Sequence, residues 1–418
     1  NMVTFCDSLA LSLNENLLNH VVYFDFAKAF DSVNHDALLN KLKDLYGING
    51  TLLKFLNNYL SERFQKVVIG SESSSTLRVN SGVPQGSILG PLLFVLFIND
   101  LPSGLSDDTK VALYADDTKI WRTIRSNSDC ISLQNDINYL SNWAIENKMK
   151  FHPSKCKILA VSPRTSQMYT SSYQYFLGNS PLNYVECEKD LGVDVTPKLC
   201  WNAHCERIYS KACQQLGIVK RNGHIITDSR RRRALYLSLV RSQFENCSIV
   251  WRPSTLTMQN KLEGLQKRAI KWIFCEENRS YSSEEYLRKC KSINILPLAL
   301  KFDLNDLVFL HKVLTGCVPI TLPHYLSYYN GNSRLRSTHL DSLCLVSSIM
   351  PRSGLATTRT TNPFSKSFFY RSHLLWNSLP LELREILSTV TFKSKILEHL
   401  WKSTPLEDTD GNESFDPT

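Results

Sequence analysis

The sequence predicts an α+β protein, in which short strands alternate with helices at first and helices dominate later. Val21–Phe26 is a short, almost wholly apolar run, which is typical of a buried strand. The apolar runs Val111–Leu113 and Thr118–Trp121 flank a polar tetrapeptide, which is typical of a β-hairpin. Beyond Pro197 the apolar spacing becomes helical and continues so to about Leu314. We therefore expect a small antiparallel sheet backed by helices, followed by an all-helical region.

Length and charge limit the class of protein. The 418 residues suffice for two or three domains, and a composition of 43% hydrophobic and 21% charged residues is typical of a folded protein. No run of 18 apolar residues occurs, so we expect no membrane-spanning helix. The net charge is +9, and segment 201–275 contains 14 Lys and Arg but 4 Asp and Glu. This uneven charge predicts a polyanion-binding surface in that segment.

The cysteine pattern favours free thiols. The chain has 12 cysteines and no C-x-x-C pair, which predicts reduced, mostly buried thiols in an intracellular protein. Cys200, His204 and Cys205 come nearest to a metal cluster, but their spacing fits no zinc signature.

The other elements follow from apolar spacing and turn residues. In the first 195 residues the pattern predicts helices over 3–18, Asn34–Gly47, Thr51–Leu60 and Ser128–Asn147, and strands over Gln65–Gly70, Thr76–Asn80, Ile158–Val161, Tyr173–Leu177 and Leu191–Val195. The later helices break near Gly223, Pro253, Arg279 and Pro297, and 315–361 is rich in loops around a strand-like Leu343–Ile349. Apolar-aromatic patterns return over Phe364–Leu379 and Thr391–Lys402, whereas the acidic tail 403–418 is expected to be disordered.

Three carboxylates suggest chemistry. In Tyr114-Ala115-Asp116-Asp117 we expect the Asp pair to form the hairpin turn, where two adjacent carboxylates repel unless a cation binds them. A solvated surface turn is the alternative for this tetrapeptide alone. Asp25 stands in the apolar strand, where a charge is costly unless it is paired in a salt bridge or bound to metal. Taken together, the three carboxylates predict a two-metal site, for which Mg²⁺ is the best candidate.

The stretch Ser81–Ser87 (Ser-Gly-Val-Pro-Gln-Gly-Ser) opens the apolar run Ile88–Leu101. Its glycines allow the backbone to approach a ligand closely, and the Gln85 amide offers both a donor and an acceptor. Binding to a nucleotide or a template base is the functional interpretation. A turn leading into a buried helix is the alternative.

The basic segment holds two candidate clusters. Between residues 256 and 274 an apolar stripe recurs at helical spacing, at Met258, Leu262, Leu265, Ala269 and Trp272. Beside or opposite that stripe lie the cations Lys261, Lys267, Arg268 and Lys271. The second cluster is the run Arg230–Arg233, for which a nuclear-localisation signal or a solvated helix start is the alternative.

Three of these motifs together resemble palm blocks A, B and C of a reverse transcriptase, because they share that order and spacing: Asp25–Asp31, Ser81–Ser87 and Tyr114–Asp117. Lys155 in Pro153-Ser154-Lys155-Cys156 is similar to block D, and Leu191-Gly192-Val193 to the primer-grip turn. The amino-acid sequences of these motifs resemble those of LINE-type (non-LTR) retrotransposons of the jockey-like group. The similarity continues into that group's thumb and C-terminal segment, over Leu235–Pro253, Leu262–Trp272 and Ser367–Pro380.

The resemblance implies an RNA-directed DNA polymerase with the following parts: a reverse-transcriptase palm with a remnant of fingers (1–195), a basic helical thumb (196–275), a helical C-terminal extension (276–402) and the acidic tail (403–418). It implies two Mg²⁺ ions, with Mn²⁺ as an alternative, and an RNA template, a DNA primer or target and dNTPs as partners. Phe30 and the Tyr-Ala-Asp-Asp motif separate the chain from RNA-dependent RNA polymerases, which usually have Asp and Gly-Asp-Asp there. A cytoplasmic ribonucleoprotein and the nucleus are the expected locations, and no membrane is expected.

The resemblance also assigns roles to single residues. Asp25, Asp116 and Asp117 would bind metal, assisted by the Phe26 carbonyl, and Phe30 would exclude a 2′-OH. Gln85, Gly86 and Tyr114 would lie against the nucleotide. Lys155 would donate a proton to pyrophosphate, with an ordinary surface lysine as the alternative. Nucleic acid would contact Arg230, Arg231, Arg232, Arg233, Lys261, Arg268 and Lys271.

Two departures from the family pattern concern the upstream region. The finger blocks that hold the triphosphate, and an endonuclease, are expected before block A, where about 20 residues precede Val21. We therefore expect a C-terminal piece of a larger polyprotein that binds nucleic acid but extends primers poorly. A catalytically idle nucleic-acid-binding remnant of a retroelement is the alternative function.

Overall fold

The computed structural model describes residues 1–163, 173–329, 342–351 and 362–404. The chain forms two compact units. The first unit comprises Asn1 and Glu15–Glu188, and the second comprises Met2–Asn14 and the described residues from Lys189 onward. The predicted domain boundaries at 195 and 275 stay predictions. From residue 405 onward, the tail that we predict to be disordered lies outside the described residues.

The helices follow in chain order: α1 (Met2–Asn14), α2 (Ala29–Ser32), α3 (His35–Asp44), α4 (Gly50–Leu60), α5 (Leu89–Ile98), α6 (Asn127–Glu146), α7 (Asn202–Asn222), α8 (Ser229–Leu235), α9 (Ser242–Glu245), α10 (Ser248–Trp251), α11 (Leu256–Ile273), α12 (Ser283–Ser292), α13 (Leu298–Leu314), α14 (Phe368–Asn377), α15 (Leu381–Arg384) and α16 (Thr389–Lys402). A π-helical segment, Tyr236–Arg241, joins α8 to α9. Short 3₁₀ turns occur at Leu101–Gly104 and Phe364–Lys366.

The strands are β1 (Leu18–Phe24), β2 (Phe64–Gln65), β3 (Val68–Ile69), β4 (Glu72–Ser73), β5 (Leu77–Arg78), β6 (Lys110–Tyr114), β7 (Asp117–Ile124), β8 (Lys157–Val161), β9 (Phe176–Leu177), β10 (Ser180–Pro181), β11 (Asn183–Val185), β12 (Glu188–Asp190), β13 (Val193–Val195), β14 (Leu326–Tyr328) and β15 (Leu345–Ser347). Five of them form one sheet in the order β11-β8-β1-β7-β6. The β11–β8 pair is parallel and the other pairs of this sheet are antiparallel.

The core of the first unit lies between this sheet and its helices. Alternate residues of β1, Val22 and Phe24, point to the helical side, because side chains along a strand alternate between faces. They join one buried apolar cluster with residues of α3, α5 and α6, among them Leu38, Phe94 and Leu133. The predicted α+β class, a small antiparallel-rich sheet backed by helices and followed by a helical region, is therefore confirmed.

The second unit is mainly helical. The apolar stripe predicted between residues 256 and 274 lies on α11, and its five members are buried. Helix α1 is largely buried within this unit, where Tyr325 Oη donates to the Asp7 carboxylate at 2.7 Å. A buried ion cluster joins other helices, since Asp306 accepts from Arg252 at 3.0 Å and from Arg371 at 2.8 Å.

The structure tests part of the predictions about the cysteines and about membrane-spanning helices. All twelve cysteines are free thiols, and six of them are buried. Cys205 packs in the core with its Sγ near the Trp251 carbonyl, and within the described ranges no His, Cys, Asp or Glu cluster suited to metal includes Cys200, His204 or Cys205. Among the same residues, none of the helices combines the length and the apolar character needed to span a bilayer.

Candidate active site

Asp25 and Asp117 lie next to the last residue pair of two neighbouring strands. The antiparallel pairing of β1 with β7 ends with Phe24 opposite Thr118. Asp25 follows Phe24 and Asp117 precedes Thr118, so the two residues lie one position beyond the last pair of this register. Strand β1 ends before Asp25, so the prediction that this charge lies inside the strand is wrong.

Asp116 lies in the turn that joins β6 to β7. Tyr114 pairs with Asp117, so the two turn residues are Ala115 and Asp116, and Asp117 is the first residue of β7. The prediction that Asp116 and Asp117 both form the turn is therefore wrong by one residue. The shift is possible because Ala115 adopts φ +52°, a left-handed conformation that costs a non-glycine residue about 1–2 kcal/mol.

Lys155 reaches Asp25 from the segment that precedes β8. The Ala27 N–H donates to the Lys150 carbonyl and the His152 N–H donates to the Asp25 carbonyl, both at 2.8 Å. These bonds hold Lys155 beside the end of β1, where its Nζ lies 3.3 Å from Asp25 Oδ1. Both side chains are about half exposed, and ion pairs of this kind contribute about 0–1 kcal/mol. Another cation could therefore displace Lys155 at little cost.

Three aromatic residues of the predicted site differ in exposure. Phe26 is buried and its ring stacks on Phe151 at a centroid distance of 4.2 Å, so only its backbone could serve a ligand. Phe30 is half-buried and stacks on Phe94 of α5 at a centroid distance of 4.4 Å. Tyr114 is 61% exposed at the end of β6.

The Gly-rich segment Ser81–Ser87 packs directly against the segment that follows Asp25. The Val83 N–H donates to the Phe30 carbonyl at 2.9 Å and the Gly82 N–H to the Val33 carbonyl at 2.8 Å. Gln85 and Gly86 are exposed, and Gln85 Nε2 donates to Asp31 Oδ1 at 2.8 Å. Sequence reasoning missed this last bond because 54 residues separate its partners, although both belonged to motifs already singled out.

The carboxylates of the candidate site meet part of what a Mg²⁺ ion requires. Carboxylate oxygens are the ligands that Mg²⁺ prefers, and Mg²⁺ is usually held by one or two carboxylates together with substrate phosphates. Asp25 and Asp117 are the candidates for such a pair. Over the described ranges, however, no three His, Cys, Asp or Glu side chains are grouped closely enough to hold a metal ion. The three-carboxylate site thus stays a prediction that needs ligands from the substrate.

The run Arg230–Arg233 divides into two exposed and two inward-facing side chains. Arg230 and Arg231 are exposed, and Arg231 pairs with Asp228 at 3.5 Å. Arg232 is buried and donates to the carbonyls of Ile226 and Trp272, whereas Arg233 is half-buried and donates to the Ile293 carbonyl at 2.6 Å. The prediction that Arg232 contacts nucleic acid is therefore wrong, because its guanidinium is engaged inside the second unit.

The cations predicted on α11 have partners within the same unit. Lys261 pairs with Glu206. Arg268 donates to the Tyr209 hydroxyl at 3.3 Å, and Lys271 lies 5.5 Å from the centre of the Tyr281 ring. Lys261 and Arg268 are nevertheless exposed and Lys271 is half-buried, so a contact with phosphates stays a prediction for all three.

A second network that sequence reasoning missed holds the predicted primer-grip turn. Leu191 and Gly192 connect β12 to β13 and both have positive φ angles. Arg207 of α7 donates to the Gly192 carbonyl at 3.0 Å and to the Asp194 carboxylate at 2.6 Å. Burial lowers the pKa of the adjacent His204 to about 4. A single arginine 15 residues after Gly192 is not a sequence pattern that predicts this hydrogen bond.

Comparison with known proteins agrees with the resemblance. The profile of the family "Reverse transcriptase (RNA-dependent DNA polymerase)" matches residues 6–214. The RNA-directed DNA polymerase from mobile element jockey of Drosophila melanogaster is 30% identical over 193 residues, which are 44% of this chain and 20% of that protein. The probable RNA-directed DNA polymerase from transposon BS of the same species is 28% identical over 270 residues, 61% of this chain and 29% of that protein.

The chain thus spans less than a third of the length of these two curated relatives. Among solved structures, a Candida tropicalis telomerase in complex with a fragment of telomeric RNA is 12% identical with a TM-score of 0.36, covering 72% of this chain and 49% of that chain. The family profile extends over half of the 418 residues and includes all three predicted carboxylates. The chain belongs to the reverse transcriptase (RNA-dependent DNA polymerase) family.

Proposed function

We propose that the chain is the RNA-directed DNA polymerase of a non-LTR retrotransposon and adds dNTPs to a primer 3′-OH on an RNA template. The observation that carries the proposal is the register of the palm sheet. It brings Asp25 and Asp117 to the same strand end, next to a turn that contains Asp116. Membership of the family supports the same reaction. DNA primer or target and dNTPs are the further partners.

In this function Asp25, Asp116 and Asp117 would hold two Mg²⁺ ions, or Mn²⁺, together with oxygens of the substrate and of the Phe26 backbone. When bound, such ions would supply activation of the attacking 3′-oxygen and stabilisation of the leaving pyrophosphate. Lys155 compensates the Asp25 charge before substrate binds. Once Asp25 is engaged elsewhere, the Lys155 ammonium is released and can donate a proton to the pyrophosphate.

The nucleotide lies beside the two motifs, which are in direct backbone contact with each other. Phe30 forms the wall under the sugar, and its stacking on Phe94 limits the movement of the ring. An aromatic wall that cannot retreat leaves no room for a 2′-OH. Gln85, Gly86 and Tyr114 are exposed on the same unit and face the nucleotide and the template.

The thumb surface binds the nucleic-acid backbone through cations. Arg230 and Arg231 are its exposed arginines from the basic run, and Lys261, Arg268 and Lys271 of α11 extend it. Such contacts add affinity without sequence preference. A function on RNA and chromosomal DNA would locate the chain in a cytoplasmic ribonucleoprotein and in the nucleus.

Metal binding tests this proposal without requiring turnover. Mn²⁺ titrated into the chain bound to an RNA template, a dideoxy-terminated primer and the next dNTP should give a Kd that rises at least tenfold in Asp117→Asn. Asp107→Asn, a change in another Asp-Asp pair of the same unit, should leave it unchanged. Equal Mn²⁺ affinity in all three proteins would contradict the carboxylate assignment.

Primer extension on an RNA template, by a chain completed upstream with the finger blocks, gives the second test. Asp116→Ala should abolish extension and keep RNA binding, and Phe30→Val should raise the use of rNTPs relative to dNTPs. An unchanged preference in Phe30→Val would remove the sugar-gate role.

The Lys155–Asp25 ion pair favours a second candidate function, a catalytically idle remnant that binds nucleic acid, because it compensates the Asp25 charge without a metal ion. In that case a protein that extends no primer would bind RNA equally well with and without the three carboxylates.

A further inference from the structure

Asp31 is the last residue of the motif Asp25–Asp31, and its carboxylate has a defined partner. Gln85 Nε2 donates to Asp31 Oδ1 at 2.8 Å. An ionised carboxylate can only accept hydrogen bonds, whereas the two ends of an amide differ, one donating and the other accepting. Asp31 therefore fixes which way the Gln85 amide points. Its Nε2 faces Asp31, and its Oε1 is directed to the other side.

The backbone around this bond is held independently of the two side chains. Ser81 Oγ donates to the Asp31 carbonyl at 2.9 Å, and the Val83 N–H donates to the carbonyl of the preceding Phe30 at 2.9 Å. At Gly82 a Cβ atom would lie 2.8 Å from the Asp31 Cα, so the two segments are in direct backbone contact. The Asp31–Gln85 bond thus joins two groups whose main chains are already fixed, which reduces the entropy lost when the bond forms.

We propose that Asp31 is a positioning residue for Gln85, which it holds with the amide oxygen turned to accept an O–H or N–H donor of the incoming nucleotide. The inference rests on the proposed function, because it takes Gln85 as a residue that contacts the nucleotide. Asp31 itself would not touch the substrate.

A charge effect would give the opposite result to positioning. An exposed carboxylate near the site repels a triphosphate, so its removal would tighten nucleotide binding if charge alone mattered. Loss of positioning would weaken binding, because the Gln85 amide could rotate and present its donor end. The sign of the change therefore separates the two explanations.

The test measures nucleotide affinity without turnover. The chain is bound to an RNA template with a dideoxy-terminated DNA primer, and the next correct dNTP is titrated until the complex resists a heparin trap. We compare wild type with Asp31→Ala, Asp31→Asn, Gln85→Ala and the double variant Asp31→Ala/Gln85→Ala. Asp44→Ala, which removes another exposed carboxylate of the same unit, serves as the matched control.

We expect Asp31→Ala to weaken dNTP binding by about three- to tenfold, the effect of losing one hydrogen bond. Asp31→Asn keeps an acceptor oxygen, so its dNTP affinity should lie between those of Asp31→Ala and wild type. The dNTP affinity of Asp44→Ala should equal that of wild type. In the Gln85→Ala background, Asp31→Ala should have no further effect. Equal or tighter binding in Asp31→Ala, or the same loss with and without Gln85, would overturn the inference.

The outcomes also separate this inference from the proposed function. If Gln85→Ala binds dNTP as wild type does, Gln85 does not contact the nucleotide and its proposed role fails. If Gln85→Ala weakens binding and Asp31→Ala does not, only the positioning role fails.

A measurement without nucleic acid keeps the inference testable if no complex with dNTP forms. In NMR spectra of the glutamine side-chain amides, the Gln85 signals, assigned through Gln85→Ala, should shift and exchange faster in Asp31→Ala. They should stay unchanged in Asp44→Ala. Identical Gln85 signals in Asp31→Ala and wild type would show that the bond does not orient this amide.

Discussion

Replacing Gly82 with alanine tests how closely the two motifs of the nucleotide site pack together. A Cβ at Gly82 would lie 2.8 Å from both the Cα and the carbonyl oxygen of Asp31, and backbone atoms cannot rotate away as a side chain can. Gly82 also has φ +92°, a conformation that costs an alanine about 1–2 kcal/mol. Overpacking adds about 1–3 kcal/mol, so we expect Gly82→Ala to destabilise the first unit by roughly 2–5 kcal/mol.

Gly86 provides a matched control four residues away. It has φ +78°, and nothing lies within 4 Å of the Cβ that an alanine would add. Gly86→Ala should therefore cost only the conformational part, about 1–2 kcal/mol. The difference between the two variants measures the steric contact of Gly82 with Asp31 alone.

Hydrogen exchange read by mass spectrometry can report each unit separately. Peptides that cover Leu18–Phe24 should lose protection strongly in Gly82→Ala and weakly in Gly86→Ala. Peptides that cover Leu256–Ile273 of the second unit should keep their protection in both. Equal losses in the two variants would refute the close contact, as would a cost below about 1 kcal/mol for Gly82→Ala.

Three further predictions concern both units. Burial lowers the pKa of His20 to about 4. The free energy of unfolding of the first unit should therefore fall by up to about 3 kcal/mol as the pH falls from about 6.5 to 4. Stability measured by hydrogen exchange should depend less on pH in His20→Asn. Asp306→Ala removes the carboxylate partner of Arg371 and one of the two carboxylates that pair with Arg252, and it should destabilise the second unit by about 3–5 kcal/mol in urea unfolding. A cost below about 1 kcal/mol would contradict this. Arg230→Ala/Arg231→Ala should reduce the slope of log K against log salt for RNA binding by about 1–2, and an unchanged slope would exclude phosphate contacts by these arginines.

The features that the sequence predicted well depend on local patterns. The hairpin of β6 and β7 and the buried stripe of α11 repeat at the spacing of their own secondary structure, so nearby residues suffice to identify them. The turn position was wrong by one residue because Ala115 adopts a left-handed conformation that alanine rarely takes. Turn preferences instead favour Asp at such positions.

The features that could not be predicted join distant parts of the chain. Helix α1 precedes β1 in sequence but belongs to the second unit, where Asp7 accepts from Tyr325 over a separation of 318 residues. Asp31 and Gln85 are 54 residues apart. A single sequence contains no signal for such pairs, because either partner would be equally stable facing water. The family resemblance identified the motifs but not the bonds between them.

The division of the run Arg230–Arg233 has a geometric cause. Successive residues of an α-helix point about 100° apart, so four consecutive arginines face all sides of the helix and cannot share one phosphate-binding face. A helix packed on one side must turn at least one of them inward. Arg232 takes that position, and Trp272, whose carbonyl it binds, lies in the last turn of α11. Carbonyls there lack an i+4 partner within their own helix, and the Trp272 carbonyl accepts from the Cys275 N–H, just beyond the helix, at 3.2 Å as well as from Arg232. The buried charge therefore satisfies a helix end, and only the neighbours Arg230 and Arg231 are left exposed for nucleic acid.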